Sequence, residues 1–96
     1  MKIIHDEKNS KFYITNSENI EIAELIYSID GVNKTLKLNS TWVEEEYRNQ
    51  NLATTLIEKF IEFAKLNNLK IIPICSFGKT YFKRYNNKYQ DIVISK

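Results

Sequence analysis

The segment that most constrains the fold of this chain runs from residue 41 to residue 64. A β-branched and aromatic stretch, Thr41-Trp42-Val43, is followed by polar residues and then by apolar residues at helical spacing. The residues expected to share the buried helix face are Ala53, Leu56, Ile57, Phe60, Ile61 and Ala64. Because the first turn of a helix has unpaired N–H groups at its positive end, a strand, polar loop and helix in this order favour phosphate binding. The loop needs no ligand if Asn51 simply caps the helix.

The rest of the chain predicts a small α+β domain. Strands are expected at residues 1–6, 11–15, 20–29, 34–42 and 70–75, helices at 50–67 and 77–85, and a last strand or extended tail at 89–94. Residues 7–10 and the pair Asp30-Gly31 indicate hairpin turns. Asn67 or Asn68 is expected to end the first helix in the left-handed conformation.

Strand patterning predicts which side chains enter the core. In the third strand, alternation places Ala23, Leu25, Tyr27 and Ile29 on one face, and Leu36 and Leu38 are the core side of the next strand. Ile71, Ile72 and Ile74 predict a strand buried on both faces, although Pro73 favours a sheet edge or a local break.

Length and charge limit the classes of function. Ninety-six residues predict a single domain spanning residues 1–96, and a net charge of +2 makes nucleic acid an unlikely partner. Cys75 is the only cysteine, which excludes an internal disulfide and favours a reducing cytoplasm. No apolar run approaches a membrane span, and no cluster of His, Cys, Asp and Glu has metal-ligand spacing.

The loop Arg48-Asn49-Gln50-Asn51-Leu52-Ala53 resembles the acyl-CoA pyrophosphate loop of the GCN5-related N-acetyltransferases. The family pattern is Arg or Gln, two residues, Gly, one residue, then Gly or Ala. Asn51 stands where the family usually has Gly, and Asn49 stands where a second Gly is frequent. Because Asn tolerates the left-handed region better than other non-glycine residues, the loop geometry is expected to survive.

The whole chain resembles the small single-domain subgroup of that superfamily, which includes bacterial proteins of the YjdJ type. The matching segments are Phe12-Tyr13-Ile14, Ala23-Glu24-Leu25-Ile26-Tyr27, Pro73-Ile74-Cys75-Ser76-Phe77 and Tyr89-Gln90-Asp91-Ile92-Val93. Ser40 departs from relatives that carry His before Thr41. The resemblance implies a minimal mixed, mostly antiparallel sheet with two main helices, and transfer of acetyl from acetyl-CoA to an amine.

The resemblance also implies site residues. The backbone of Trp42 and Val43 is expected to pair with the pantetheine arm, and Arg48 is expected to add a charge-assisted bond. The N–H groups expected to hold the pyrophosphate belong to Asn49, Gln50, Asn51, Leu52, Ala53 and Thr54. Tyr81 is the expected proton donor to the leaving thiolate, with a packed rim phenol as the alternative reading.

Cys75 precedes the second helix, where the helix N-terminus stabilises a thiolate. It is expected to lie at the site, either as an acetyl-carrying nucleophile or as a polar wall beside the thioester, unless it is a small buried core residue. His5, the only histidine, is discounted as the base because its strand is remote from the site in most relatives. Glu24 and residues 44–46 offer carboxylates to a cationic amine.

Two other functions stay open. The missing loop glycines leave room for a CoA-binding module without turnover. Basic and aromatic residues also interleave as in single-stranded nucleic-acid sites, at Lys79, Tyr81, Phe82, Lys83, Arg84, Tyr85 and Lys88. The amine acceptor is either a small molecule or a protein tail, and the chain is either a monomer or a homodimer.

Overall fold

The computed structural model of the protein describes residues 1–94. Its strands are β1 (Lys2–Asp6), β2 (Lys11–Thr15), β3 (Glu21–Asp30), β4 (Thr35–Val43) and β5 (Lys70–Pro73). Its helices are a 3-10 helix (Glu45–Gln50), α1 (Leu52–Leu66), α2 (Ser76–Arg84) and the short α3 (Asn86–Tyr89).

The five strands form one sheet in the order β1-β2-β3-β4-β5. The first three pairings are antiparallel, and β4 pairs with β5 in parallel through the α1 crossover. This arrangement confirms the predicted α+β class and the mixed, mostly antiparallel sheet with two main helices.

The helices pack against one face of the sheet. The Tyr27 ring lies 5.8 Å from the Phe60 ring of α1, and Gly78 of α2 lies directly against Leu38. The predicted α1 face is confirmed with one change, because Leu52 is buried and Ala53 is only half-buried. A single core between the helices and this face therefore stabilises the domain.

Both predicted turns are present. Asp30 ends β3 and its carboxylate accepts bonds from the N–H groups of Val32 and Asn33, both at 3.1 Å. Lys34, not Gly31, takes the positive φ of 54°. Asn68 adopts φ 55° after α1, as expected.

Three strand predictions are wrong in detail. Ile29 is 50% exposed because the helices cover its partner Leu36 but do not reach it. The strand predicted over residues 70–75 ends at Pro73, which has no N–H to donate, and Ile74 is 47% exposed. Most of residues 89–94 is helix end and turn, since only Val93 forms a bridge, to Ile71.

Within residues 1–94, no helix is both long enough and apolar enough to cross a membrane.

Candidate active site

The central feature of the site is a strand edge without a partner. β5 pairs with β4 only from Thr35 to Leu38, whereas β4 continues to Val43. The N–H groups of Ile74 and Cys75 both donate to the Leu38 carbonyl, at 2.9 and 3.2 Å, and the chain then leaves the sheet. Among the described residues, β5 therefore leaves the second half of β4 open for an extended ligand.

A bulge precedes the open edge. Ile26 pairs with Ser40, but the next residue, Tyr27, pairs with Leu38, so Asn39 is the extra residue on β4. A bulge bends its strand and increases the local twist, which helps β4 diverge from β5.

The backbone direction at the end of β4 follows from one bond. The Glu44 N–H donates to the Ile22 carbonyl of the β3 segment at 2.8 Å. Because successive residues of a strand direct their polar groups to opposite sides, the Val43 backbone faces the open edge.

A cleft of about 410 Å³ lies between this edge and the start of α1. Seven predicted cofactor-binding residues line it, namely Trp42, Val43, Arg48, Asn51, Leu52, Ala53 and Thr54, together with Thr41 and Phe77. The first N–H groups of α1 have no intrahelical partners and carry partial positive charge. The cleft therefore combines an extended-chain edge with an anion-binding helix end.

Arg48 extends from the 3-10 helix back to the strand edge. Its Nε donates to the Val43 carbonyl at 3.1 Å, and its side chain is exposed. The guanidinium thus lies at the cleft with further N–H donors available to an anion.

Asn51 joins the 3-10 helix to α1 in the left-handed conformation, with φ 57° and ψ 30°. The expectation that Asn would preserve the loop geometry is confirmed. Asn51 is the N-cap residue of α1, as the alternative reading predicted, but its side chain makes no cap hydrogen bond. Its carbonyl instead accepts from the N–H and hydroxyl of Thr55, both at 3.1 Å.

Two of the predicted loop residues lie outside the cleft. Asn49 and Gln50 are exposed at the end of the 3-10 helix and do not line it. The pattern-based prediction of a simple loop missed this helix, which Tyr47 ties down: its hydroxyl accepts from Asn16 Nδ2 at 3.3 Å and its ring packs on the core. An aromatic residue within a polar run was the available signal.

A second cavity, of about 170 Å³, continues from the cleft between α1 and α2. Thr54 and Phe77 line both cavities, and the second also has Tyr81, Arg84, Thr80 and Tyr85. The sequence reasoning missed Phe77 as a site residue, although its place in the first turn of α2 was visible.

Tyr81 is buried against an aromatic cluster. Its ring lies 4.8 Å from Tyr85 and 6.2 Å from Tyr89, centroid to centroid. Burial, with smaller contributions from Tyr89 and Glu58, raises the pKa of the Tyr81 phenol far above its ordinary value. The phenol therefore holds its proton at neutral pH.

Cys75 caps α2 rather than lining either of these cavities. Its Sγ accepts a bond from the Gly78 N–H at 3.4 Å, and the side chain is half-buried. The thiol thus lies at a helix N-terminus, as the sequence predicted, at the point where the chain leaves β5.

His5 lies on β1, at the opposite edge of the sheet from the cleft. Its Nε2 is 2.6 Å from the Tyr27 hydroxyl, and its ring stacks on Phe12 with a centroid distance of 3.9 Å. Burial lowers the pKa of His5, against smaller raising effects of Glu7 and Asp6. Its position matches the expectation that it is remote from the site.

No group of three His, Cys, Asp or Glu side chains is placed to hold a metal ion anywhere in the described part of the chain.

Comparisons with known proteins agree with this geometry. The family model described as GCN5-related N-acetyl-transferase matches residues 11–92. A Staphylococcus aureus protein, provisionally described as a GCN5-like N-acetyltransferase, has a solution structure that superposes with a TM-score of 0.77. It is 34% identical, and the match covers 99% of this chain and 89% of that one.

Two further solved structures share the fold. Nourseothricin acetyltransferase matches with a TM-score of 0.58 and 21% identity over 73% of this chain and 42% of its own. An acetyltransferase from Vibrio fischeri matches with a TM-score of 0.53 and 18% identity over 66% of this chain and 57% of its own. The chain thus spans less than two thirds of either enzyme, and no curated protein sequence matches it significantly.

Proposed function

This chain belongs to the family of GCN5-related N-acetyltransferases, and we propose that it binds acetyl-CoA in the β4–α1 cleft and transfers the acetyl group to an amine. The observation that carries the proposal is that the open edge of β4, the N-terminus of α1 and Arg48 border one cleft. An extended amide-bearing chain joined to a pyrophosphate matches these groups in order.

The cleft residues have distinct proposed tasks. The Val43 backbone pairs with the pantetheine arm, in the manner of an added strand. The N–H groups of Asn51 to Thr54 and the Arg48 guanidinium bind the pyrophosphate. No direct contact with the cofactor is proposed for Asn49 and Gln50, because both are exposed and lie outside the cleft.

Acetyl transfer requires a balanced exchange of bonds. The neutral amine nitrogen forms a bond to the thioester carbonyl carbon, the carbon–sulfur bond breaks, and the thiolate leaves. The amine proton goes to solvent, and Tyr81 donates its phenolic proton to the thiolate and regains one from solvent. Tyr81 carries its proton at neutral pH, and burial, which raises its pKa, makes it a weaker acid than an exposed tyrosine.

Cys75 is proposed to cap α2 rather than to form a wall of the site, and the acetyl group is proposed to transfer directly, without an acetyl-cysteine intermediate. Its Sγ already accepts the Gly78 N–H, and it does not line the cleft. A Cys75→Ser variant, which keeps a capping oxygen, is expected to retain kcat/KM within about tenfold. Loss of all turnover, together with an acetylated protein mass in wild type that is absent from Cys75→Ser, would instead establish the covalent route.

The nucleic-acid alternative is disfavoured by burial. Base stacking needs several exposed rings, whereas Tyr81 and Phe82 are 9% and 5% exposed and only Tyr85 of the three predicted rings is open, at 41%. The protein is proposed to act in the cytoplasm, where its one free thiol stays reduced. A small-molecule amine or a protein tail fits an open acceptor side, in a monomer or a homodimer.

The test begins with thermal unfolding in the presence of CoA or acetyl-CoA. A ligand at a hundredfold excess over Kd adds about 2.7 kcal/mol, which raises the Tm by several degrees. Release of free thiol is then followed with a panel of amines. A shifted melt without amine-dependent thiol release would identify a CoA-binding module, and an unmoved melt at millimolar ligand would reject the proposal.

One matched pair of variants localises the effect. Thr54→Glu adds a carboxylate inside the cleft, where it repels phosphate but suits the helix dipole, so the fold is retained while the ligand-induced shift is lost. Ser17→Glu adds the same charge in the exposed turn between β2 and β3, away from the cleft, and is expected to keep most of the shift.

A further inference from the structure

The sheet face opposite the helices carries a row of side chains that leads to the cleft. Tyr13 lies directly across from Glu24, and Glu24 lies directly across from Trp42. Residues paired in this way share one face of a sheet. Because Leu25, next to Glu24, is fully buried beneath the helices, the row lies on the helix-free face.

Trp42 connects the two faces. It lines the cofactor cleft at the open edge of β4, and its side chain is 41% exposed on the same face as Glu24. A group bound at Glu24 is therefore one strand away from the open edge of β4 that borders the cleft.

This face already holds one primary ammonium group. Lys11 Nζ donates to Glu21 at 3.0 Å and to Glu24 at 3.2 Å, and lies 4.9 Å from the centre of the Tyr13 ring. Two carboxylates and an aromatic face form a complete environment for such a cation. We call the three residues around the Lys11 ammonium group the ammonium cage; they are Tyr13, Glu21 and Glu24.

A cavity of about 490 Å³ opens beside the cage, lined in part by Lys11, Tyr13, Glu21 and Thr15. The Thr15 side chain is only 7% exposed, and its hydroxyl has no hydrogen-bond partner among the described residues. A buried hydroxyl without a partner is destabilising, so a polar group bound in this cavity would be favoured.

We infer that the helix-free face is the acceptor side of the site, and that Glu24 binds the ammonium group of a primary alkylamine in competition with Lys11. The acceptor role of this face rests on the proposed acetyl transfer, whereas the binding of an ammonium group by Glu24 does not depend on it. Glu24 acts as a specificity-determining residue, because it selects acceptors that arrive as primary ammonium ions; the bound ion loses one proton to solvent before the neutral amine can react.

The chemistry of the cage explains the preference. A primary ammonium ion offers three N–H donors, which two carboxylates can share, whereas a quaternary ion offers none. The hydrogen bond to Glu21, followed by that to Glu24, raises the pKa of Lys11, against burial. The ammonium group of Lys11 thus occupies the position proposed for the ammonium group of the acceptor.

Trp42 permits a direct binding test because it is the only tryptophan in the chain. Its fluorescence is titrated with n-butylammonium chloride, with 1-butanol as an uncharged control and tetramethylammonium chloride as a cation without N–H donors. A saturable change with n-butylammonium alone is expected. Equal responses to the three probes, or none to n-butylammonium, would overturn the inference.

Two pairs of variants locate the response. Lys11→Met removes the competing ammonium and is expected to lower the n-butylammonium Kd by about tenfold, the effect of one charge-assisted bond. Lys37→Met, an exposed lysine not paired with the cage, should leave it unchanged. Glu24→Gln should raise the Kd by about tenfold or more, whereas Glu62→Gln on α1 should not.

Kinetics separate this inference from the proposed function. If acetyl transfer occurs, Glu24→Gln should raise KM for n-butylamine with little change in the acetyl-CoA-induced melt shift. Turnover with an unaltered KM would refute the acceptor role while leaving the enzyme intact. Ammonium binding without turnover of n-butylamine in any variant would reject the acceptor role, whereas the acetyltransferase itself is tested by the melt shift and the amine panel.

Discussion

Arg48 donates from Nε to the backbone carbonyl of Val43 at 3.1 Å, across the mouth of the cleft. The bond occupies an acceptor on the open edge of β4, and Arg48 lines the same cleft as the start of α1. Arg48 therefore donates a hydrogen bond to the strand edge in the free protein, and it is also positioned to bind a phosphate.

Removing the Arg48 side chain should affect the binding of the phosphate-bearing half and of the pantetheine half of the cofactor differently. Arg48→Ala is expected to raise the Kd for CoA by about tenfold or more, because a hydrogen bond to a charged group contributes about 1.5–3 kcal/mol. Pantetheine, which lacks the phosphates, should bind as well or better because the Val43 carbonyl is released. Isothermal titration with both ligands measures the contrast.

Lys8→Ala is the control for this comparison, since Lys8 is an exposed cation in the β1–β2 turn. It should alter neither Kd. Equal weakening of CoA and pantetheine by Arg48→Ala would show that the arginine orders the cleft instead of contacting phosphate.

The two glycines provide a matched pair for packing. A Cβ on Gly78 would lie 2.7 Å from Leu38 Cδ2, inside the core, whereas one on Gly31 would meet nothing within 4 Å. Gly78→Ala is expected to destabilise the fold by about 1–3 kcal/mol by overpacking. Gly31→Ala should change stability by less than about 1 kcal/mol, because Gly31 does not have a positive φ. Urea unfolding gives both values, and similar values for the two would contradict the α2–β4 contact.

Substitutions of Asn51 test the conformation of the loop at the position where it departs from the family pattern. Its φ of 57° lies in the left-handed region, where a Cβ costs roughly 1–2 kcal/mol. Because the native Asn already has a Cβ, Asn51→Gly should raise the free energy of unfolding, and Asn51→Ala should lower it by less than about 1 kcal/mol, the advantage of Asn over Ala in this region. If the Asn side chain hinders phosphate approach, Asn51→Gly also lowers the CoA Kd. An unchanged Kd in Asn51→Gly would show that the side chain lies clear of the ligand.

Much of the fold was predictable because local signals and burial agree. Five strands, two main helices and both hairpin turns follow from alternation, helical spacing and turn residues. Residues such as Leu56, Phe60 and Leu38 are fully buried as predicted. Ile29 and Ile74 were misplaced because strand periodicity identifies a face but not how far a helix covers it.

The site was only partly predictable. The position of Asn51 followed from backbone preference, and the cleft brings together seven of the predicted binding residues. Asn49 and Gln50 lie outside the cleft because the polar run forms a 3-10 helix held by Tyr47, a long-range contact. The ammonium cage joins residues from two strands, so no local pattern signals it.

His5 should make the free energy of unfolding depend on pH at values above those at which the carboxylates titrate. Burial lowers its pKa in the folded state from the ordinary 6.5, so the unfolded chain binds the proton more readily. The contribution of the neutral His5 ring to the free energy of unfolding is complete above pH 6.5, and it is lost as the pH falls from there toward the folded-state pKa of His5. Asp6 and Asp30, whose pKa values are lowered mainly by bonds from Asn9 and Asn33, lose their contributions only below about pH 4. Chemical unfolding at pH 7.5 and 5.5 should show a smaller free energy at the lower pH in wild type. His5→Phe, which keeps a ring on Phe12, should remove most of that difference, and an equal difference in the variant would assign it to other groups.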